Sequence, residues 1–199
     1  MKIVLATGNP GKVRELASHL AGAGIEVLPQ SDFCDDEAIE DGATFVENAL
    51  KKARHAARAS GLGALADDSG LRVDALDGAP GVGSARYAGE RASDRDNWVK
   101  LLADMAELPV EQRAAAFHCT LVFLRNADDP APIIVSAEWP GRILLEARGE
   151  GGFGYDPVFQ PDGLQCSAAE LTPAEKQASS HRARALAHFL PQLRRVAAD

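Results

Sequence analysis

The period of the hydrophobic positions changes several times along the chain. Ile3-Val4-Leu5-Ala6 is a short apolar run and predicts a buried strand over residues 2–7. Gly8-Asn9-Pro10-Gly11 predicts a turn, after which Val13, Leu16, Ala17 and Leu20 recur at helical spacing up to Gly22 and Gly24. Residues 25–28 read as a second strand, and 32–41 as an acidic loop. Thr44-Phe45-Val46-Glu47 is a capping box that opens a long helix to about Ser60. Its buried stripe is Phe45, Ala49, Leu50, Ala53, Ala56 and Ala57, with Glu47, Asn48, Lys51 and Lys52 mostly off it.

Residues 64–66 predict a short strand ending at Asp67-Asp68-Ser69-Gly70, and the alternation over 71–76 predicts another. Residues 78–89 form a Gly-rich loop, and Ser93 caps a helix through about Leu108. Residues 116–124 and 133–139 read as strands joined by a turn over 127–132. A second Gly-rich loop covers 149–155. Thr172-Pro173-Ala174-Glu175 is a further capping box, and its helix either runs on to Leu190 or restarts near Ser180. Early β/α alternation followed by β-rich sequence predicts a mixed α/β sheet flanked by helices. No repeat or linker divides the 199 residues, so a single domain is expected over 1–199.

Composition narrows the partners. A 46% hydrophobic, 25% charged chain has an ordinary globular balance. The net charge of −8 argues against a nucleic-acid partner. The first apolar run is too short for a signal segment, and no run approaches the ~20 residues of a membrane span. A soluble cytoplasmic protein with no membrane partner is therefore expected. Cys34, Cys119 and Cys166 are odd in number and widely spaced, which predicts free thiols rather than a disulfide framework.

Three segments carry candidate chemistry. Thr7-Gly8-Asn9-Pro10-Gly11-Lys12 joins a strand to a helix N-terminus, where small residues and backbone amides favour an anion and Lys12 adds a full charge; an ordinary turn is the alternative. It is no Walker loop, because the spacing is short and no Ser or Thr follows the lysine. Asp67-Asp68-Ser69-Gly70 offers hard oxygen ligands for Mg²⁺, or a base for water, or simply a turn. Glu40 could complete a metal site. Gly151-Gly152-Phe153-Gly154-Tyr155-Asp156-Pro157 lets a flat ligand approach, with Phe153 as a stacking face and Asp156 as an acceptor, or else is a turn with a core aromatic. Lys176, His181 and Arg182 supply donors, or else form a solvated basic face.

Taken in order, these segments resemble the inosine triphosphate pyrophosphatase family. The likeness lies in Thr7-Gly8-Asn9 with Lys12, Phe45-Val46-Glu47-Asn48-Ala49, Ala66-Asp67-Asp68-Ser69-Gly70-Leu71, Gly78-Ala79-Pro80-Gly81-Val82, Ser84-Ala85-Arg86-Tyr87, residues 151–157, and Lys176 with Ser180-His181-Arg182. The resemblance implies a long twisted mixed sheet, two lobes with a central nucleotide-binding cleft, and a homodimer. It implies Mg²⁺-dependent hydrolysis of non-standard purine nucleoside triphosphates (ITP, dITP, XTP) to monophosphate and pyrophosphate, with Mn²⁺ a plausible substitute. By the same resemblance, Thr7, Gly8, Asn9, Pro10, Gly11, Lys12 and Lys52 would meet phosphate, Glu40 and Asp68 would hold the metal, and Asp68 would be the catalytic base. Ser69, Phe153, Gly154, Tyr155, Asp156, Lys176, His181 and Arg182 would contact the substrate. Gly83 departs from the pattern, since the family often has tyrosine there.

Overall fold

A computed structural model describes residues 1–198. Its elements are β1 (Lys2–Ala6), α1 (Pro10–Ala21), β2 (Glu26–Pro29), α2 (Phe45–Ser60), β3 (Gly63–Val73), α3 (Asp94–Asp104), β4 (Ala114–Leu124), β5 (Ile133–Ile143), β6 (Phe159–Pro161), α4 (Pro173–Ser179) and α5 (His181–Ala198), linked by short 3-10 turns. The strands form one open sheet in the order β2-β1-β3-β4-β5-β6. β1 runs parallel to β2 and β3, whereas β6 runs antiparallel to β5, so the sheet is mixed as the alternation of elements predicts. Among the described residues no helix is long and apolar enough to cross a membrane.

The chain divides into two compact units, one built from Met1–Asp68, Cys119–Ala137 and Ala185 onward, the other from Ser69–His118 and Glu138–Arg184. In the first unit the period-2 alternation of the strands makes two cores. Ile3, Leu5, Leu65, Leu121 and Phe123 face Leu16 and Leu20 of α1 and Leu186, Phe189 and Leu193 of α5. Val4, Ala6, Ala64, Ala66, Val122 and Leu124 face the alanine stripe of α2. Helix α2 begins where its capping box places it: Thr44 N–H donates to Glu47 Oε2 (2.9 Å) and Glu47 N–H to Thr44 Oγ1 (3.3 Å). It ends at Gly61, whose φ of 69° is left-handed. Asn48, expected off the stripe, is instead buried, because its Oδ1 accepts the Gly42 amide at 2.8 Å and so ties the preceding loop to the helix.

The second unit packs Leu71, Val73, Leu101, Met105, Trp139, Tyr155 and Val158 around Phe117 and Phe159, whose rings meet edge to face at 4.7 Å. Here α3 stops at Asp104 rather than near Leu108. The turn beyond it is held by Arg113. Its buried guanidinium takes up the carbonyls of Met105 (2.6 Å) and Leu108 (3.3 Å) beyond the helix end, and those of Ile143 and Leu144 (2.9 Å each) from β5 and the residue after it. Arg113→Met should therefore strand several buried acceptors and cost roughly 2–4 kcal/mol. Urea unfolding at neutral pH measures this, and Arg113→Lys should not rescue it, because an ammonium lacks the planar fork.

Other differences have local reasons. β3 is one continuous strand through Asp67-Asp68-Ser69-Gly70, not a short strand, a turn and a second strand, and the two carboxylates pair with Lys12 and Lys52 rather than closing a local turn. Residues 74–76 form a 3-10 turn, not the end of a strand. β5 continues past Trp139 to Ile143, since Gly141 lets β6 come close: a Cβ there would lie 2.3 Å from the Gln160 carbonyl oxygen. The C-terminal helix does restart, with extended Ser180 between α4 and α5. α5 then passes Leu190 and Pro191, with Gln192 Nε2 donating to the His188 carbonyl at 3.1 Å across the proline.

Candidate active site

Mid-strand placement separates the two adjacent aspartates. Successive side chains of β3 leave on opposite faces, so Asp67 follows Leu65 and Asp68 follows Ala64 and Ala66. Asp67 is fully buried; Lys12 Nζ lies 2.7 Å from its Oδ1, and Cys119 Sγ donates to its Oδ2 at 3.4 Å. Lys12 is thus engaged with Asp67 rather than standing free at the helix N-terminus. The Thr7–Lys12 turn is also closed on itself. Asn9 Oδ1 accepts the amides of Gly11 (2.9 Å) and Lys12 (3.2 Å), and the Asn9 amide donates to Thr7 Oγ1 (3.2 Å). Pro10 opens α1 without an N–H to offer. An anion at this helix terminus would take the place of the Asn9 carboxamide. Gly8 adjoins the acidic loop, where an added Cβ would lie 2.9 Å from Glu37 Oε1.

Asp68, on the other face, meets α2 and the acidic loop. Lys52 Nζ lies 2.6 Å from Asp68 Oδ1 and 3.2 Å from Glu40 Oε2. Burial pushes the Asp68 carboxyl up to about 6, against the pull of Lys52 and Lys12. Burial also opposes the charge on Lys52, but Asp68 and Glu40 outweigh it and raise the ammonium above its ordinary range. Two carboxylates share one ammonium here. Hard oxygen donors and the remaining negative charge are chemistry that suits a cation such as Mg²⁺.

The second unit holds the other candidates in a buried cluster. Asp156 accepts the Phe153 amide (2.9 Å) and the Lys176 ammonium. Gly152 makes this possible: its φ is +74°, and a Cβ would fall 2.0 Å from Asp156 Oδ2. Lys176 Nζ lies 4.4 Å from the Phe153 ring centroid and Arg182 Cζ 5.9 Å from it. Arg182 Nη2 reaches Ser69 Oγ at 3.4 Å. His181 is buried, its ring stacked on Phe117 at 4.9 Å with 13° between planes. Tyr155 is anchored by its side chain. Its buried hydroxyl donates to the Ser84 carbonyl at 2.7 Å, and burial lifts its pKa. Gly154 N–H donates to Asp94 Oδ2 at 2.7 Å.

Sequence reasoning missed Asp94 and Ser84 as supports of this loop. Asp94 could have been flagged, because the Ser93 cap places it at the first position of α3. Gly83 lies in the 3-10 turn Gly81–Arg86 with open space where a Cβ would be, so no packing within the unit demands glycine there.

The profile of the Ham1 family matches residues 3–192. A dITP/XTP pyrophosphatase of Vibrio parahaemolyticus is 58% identical over 192 residues, covering 96% of each chain. One from Pectobacterium atrosepticum is 57% identical over 193 residues, covering 97% of this chain and 98% of its own. Among solved structures, a HAM1 protein from Coxiella burnetii superposes with a TM-score of 0.89 at 46% identity, covering 100% of this chain and 98% of that one. The Staphylococcus aureus Ham1 protein gives 0.86 at 36% identity over 97% and 98%. Matches of this length and identity, in sequence and in fold alike, mean that the chain belongs to the Ham1 family.

Proposed function

We propose that this protein hydrolyses non-standard purine nucleoside triphosphates, ITP, dITP and XTP, to the monophosphate and pyrophosphate. The observation that carries this reading is β3, which presents Asp68 to Glu40 and Lys52 and, one residue later, Ser69 to Arg182. The names of the Vibrio and Pectobacterium relatives support it.

Asp68 receives the proton of the attacking water, a task suited to a carboxyl held near 6. Lys52 supplies positive charge to the phosphates and keeps Asp68 oriented until substrate arrives. Lys12 adds a second charge at the N-terminus of α1. Mg²⁺, with Mn²⁺ as a substitute, would be held by Glu40 and Asp68 and would neutralise charge on the phosphates and the departing pyrophosphate. Chelation should accordingly abolish turnover, and Mg²⁺ should restore it; full activity in excess chelator would remove the metal from the reaction. In this reading the chain works as a cytoplasmic homodimer.

Base choice belongs to the second unit. Hypoxanthine and xanthine carry a C6 carbonyl and an N1–H, whereas adenine carries the reverse pair. Arg182 serves as donor to the C6 oxygen. The acceptor facing N1–H is Asp156, whose Oδ2 also takes the Lys176 ammonium and the Phe153 amide, or a backbone carbonyl of the Phe153–Asp156 loop. Phe153 stacks on the base and adds affinity without selectivity. The test is pyrophosphate release from ITP, dITP, XTP and ATP with Mg²⁺. Each non-standard nucleotide should yield one pyrophosphate per monophosphate; orthophosphate as the first product would overturn the reaction proposed. Arg182→Ala should lower the ITP/ATP ratio of kcat/KM at least ~10-fold, through loss of ITP activity. An unchanged ratio would mean that Arg182 serves structure rather than the base.

A further inference from the structure

We propose that Cys34, Asp36 and His55 form a second metal site, which takes a zinc-class ion and is separate from the Glu40/Asp68 carboxylates. Cys34 and Asp36 lie just past the 3-10 turn Gln30–Asp32, and His55 projects from α2. The segment is already folded back on itself: the Cys34 amide bonds the Gln30 carbonyl (3.1 Å), and Gln30 Nε2 donates to the Asp36 carbonyl (3.0 Å). His55 Nε2 sits 3.7 Å from Cys34 Sγ and 3.6 Å from Asp36 Oδ2, and the three ligand atoms all lie within 4.8 Å of one another. Tetrahedral zinc with bonds of about 2.3 Å to sulfur and about 2.0–2.2 Å to nitrogen and oxygen needs ligand separations of roughly 3.4–3.6 Å. Both separations at His55 are close to that, so small side-chain movements would close the site and leave a fourth position for water.

The donor set decides the metal class. A thiolate and an imidazole favour Zn²⁺ or Co²⁺ over Mg²⁺, the reverse of the all-oxygen Glu40/Asp68 pair. Ligation takes the thiolate form of Cys34. On binding, the S–H bond breaks, the metal–sulfur bond forms and one proton leaves to solvent. His55 now donates Nε2–H to the Asp36 carbonyl at 3.0 Å. It would ligate through the same nitrogen, with the ring proton carried on Nδ1. The ion would fasten to α2 the segment that also delivers Glu40 to Lys52.

The test uses the full chain, stripped of metal by chelator and titrated with Co²⁺. One equivalent should raise a thiolate-to-cobalt charge-transfer band, which Zn²⁺ abolishes and excess Mg²⁺ leaves in place. Cys34→Ser should remove the band, and His55→Ala should weaken Co²⁺ affinity ~100-fold. Cys166→Ser should change nothing. A wild-type chain without the band, a band that survives Cys34→Ser, or one that Mg²⁺ displaces would each overturn the proposal.

Discussion

Replacing Asp68 by asparagine is expected to lower turnover by ~10²–10⁴, the usual size of a general acid–base contribution. The change keeps the shape of the side chain and removes both the proton acceptor and half of the carboxylate pair around Lys52. Nucleotide affinity should fall much less, because the contacts of Phe153, Lys176 and Arg182 do not involve Asp68. Single-turnover measurements separate the two effects. The same carboxyl sets the acid limb of the free enzyme. With Asp68 held at about 6, kcat/KM should fall as pH drops through that value, because the protonated form cannot accept the water proton. Asp68→Asn should flatten the limb. Near-normal turnover in the variant would take Asp68 out of the chemistry.

The second large effect is on stability. Lys176→Ala removes the ammonium from a pair in which both side chains are more than nine-tenths buried. Asp156 then loses the buried ammonium against its Oδ2, where the Phe153 amide also donates. Breaking such a pair costs about 3–5 kcal/mol, whereas replacing both charges is far milder. Urea unfolding should show that loss for Lys176→Ala, and most of it should return in Lys176→Met combined with Asp156→Asn. An equal loss in the double variant would mean that the packing of the lysine stem, not the charge, holds this loop.

The fold was legible where a local rule has no tertiary competitor. The capping boxes at Thr44, Ser93 and Thr172 each place a helix start at the following residue, and each forms both of its bonds. Boundaries set by distant partners were not legible. Nothing near Leu108 announces that Arg113 holds the turn beyond α3, and three-residue β6 has too few positions to show a period. In the site, the residue types and their order were readable, but their pairing was not. Asp67 and Asp68 look like one acidic pair in sequence; the strand divides them between Lys12 and Lys52. That division could have been read from the alternation alone, had the strand been carried through Gly70. The meeting of Cys34 with His55 could not, because it depends on the path of the acidic loop back to α2.

The two outermost strands bear on how copies of this chain can assemble. β2 and β6 are four and three residues long, and each ends in a proline, Pro29 and Pro161. A proline has no N–H to give to a neighbouring strand, and so short a run offers few rungs for one. Neither edge is fit to template strand addition from a second molecule. A homodimer would therefore not be built by adding a strand to β2 or to β6. The same bluntness should keep partly unfolded copies from stacking edge to edge during synthesis at high concentration.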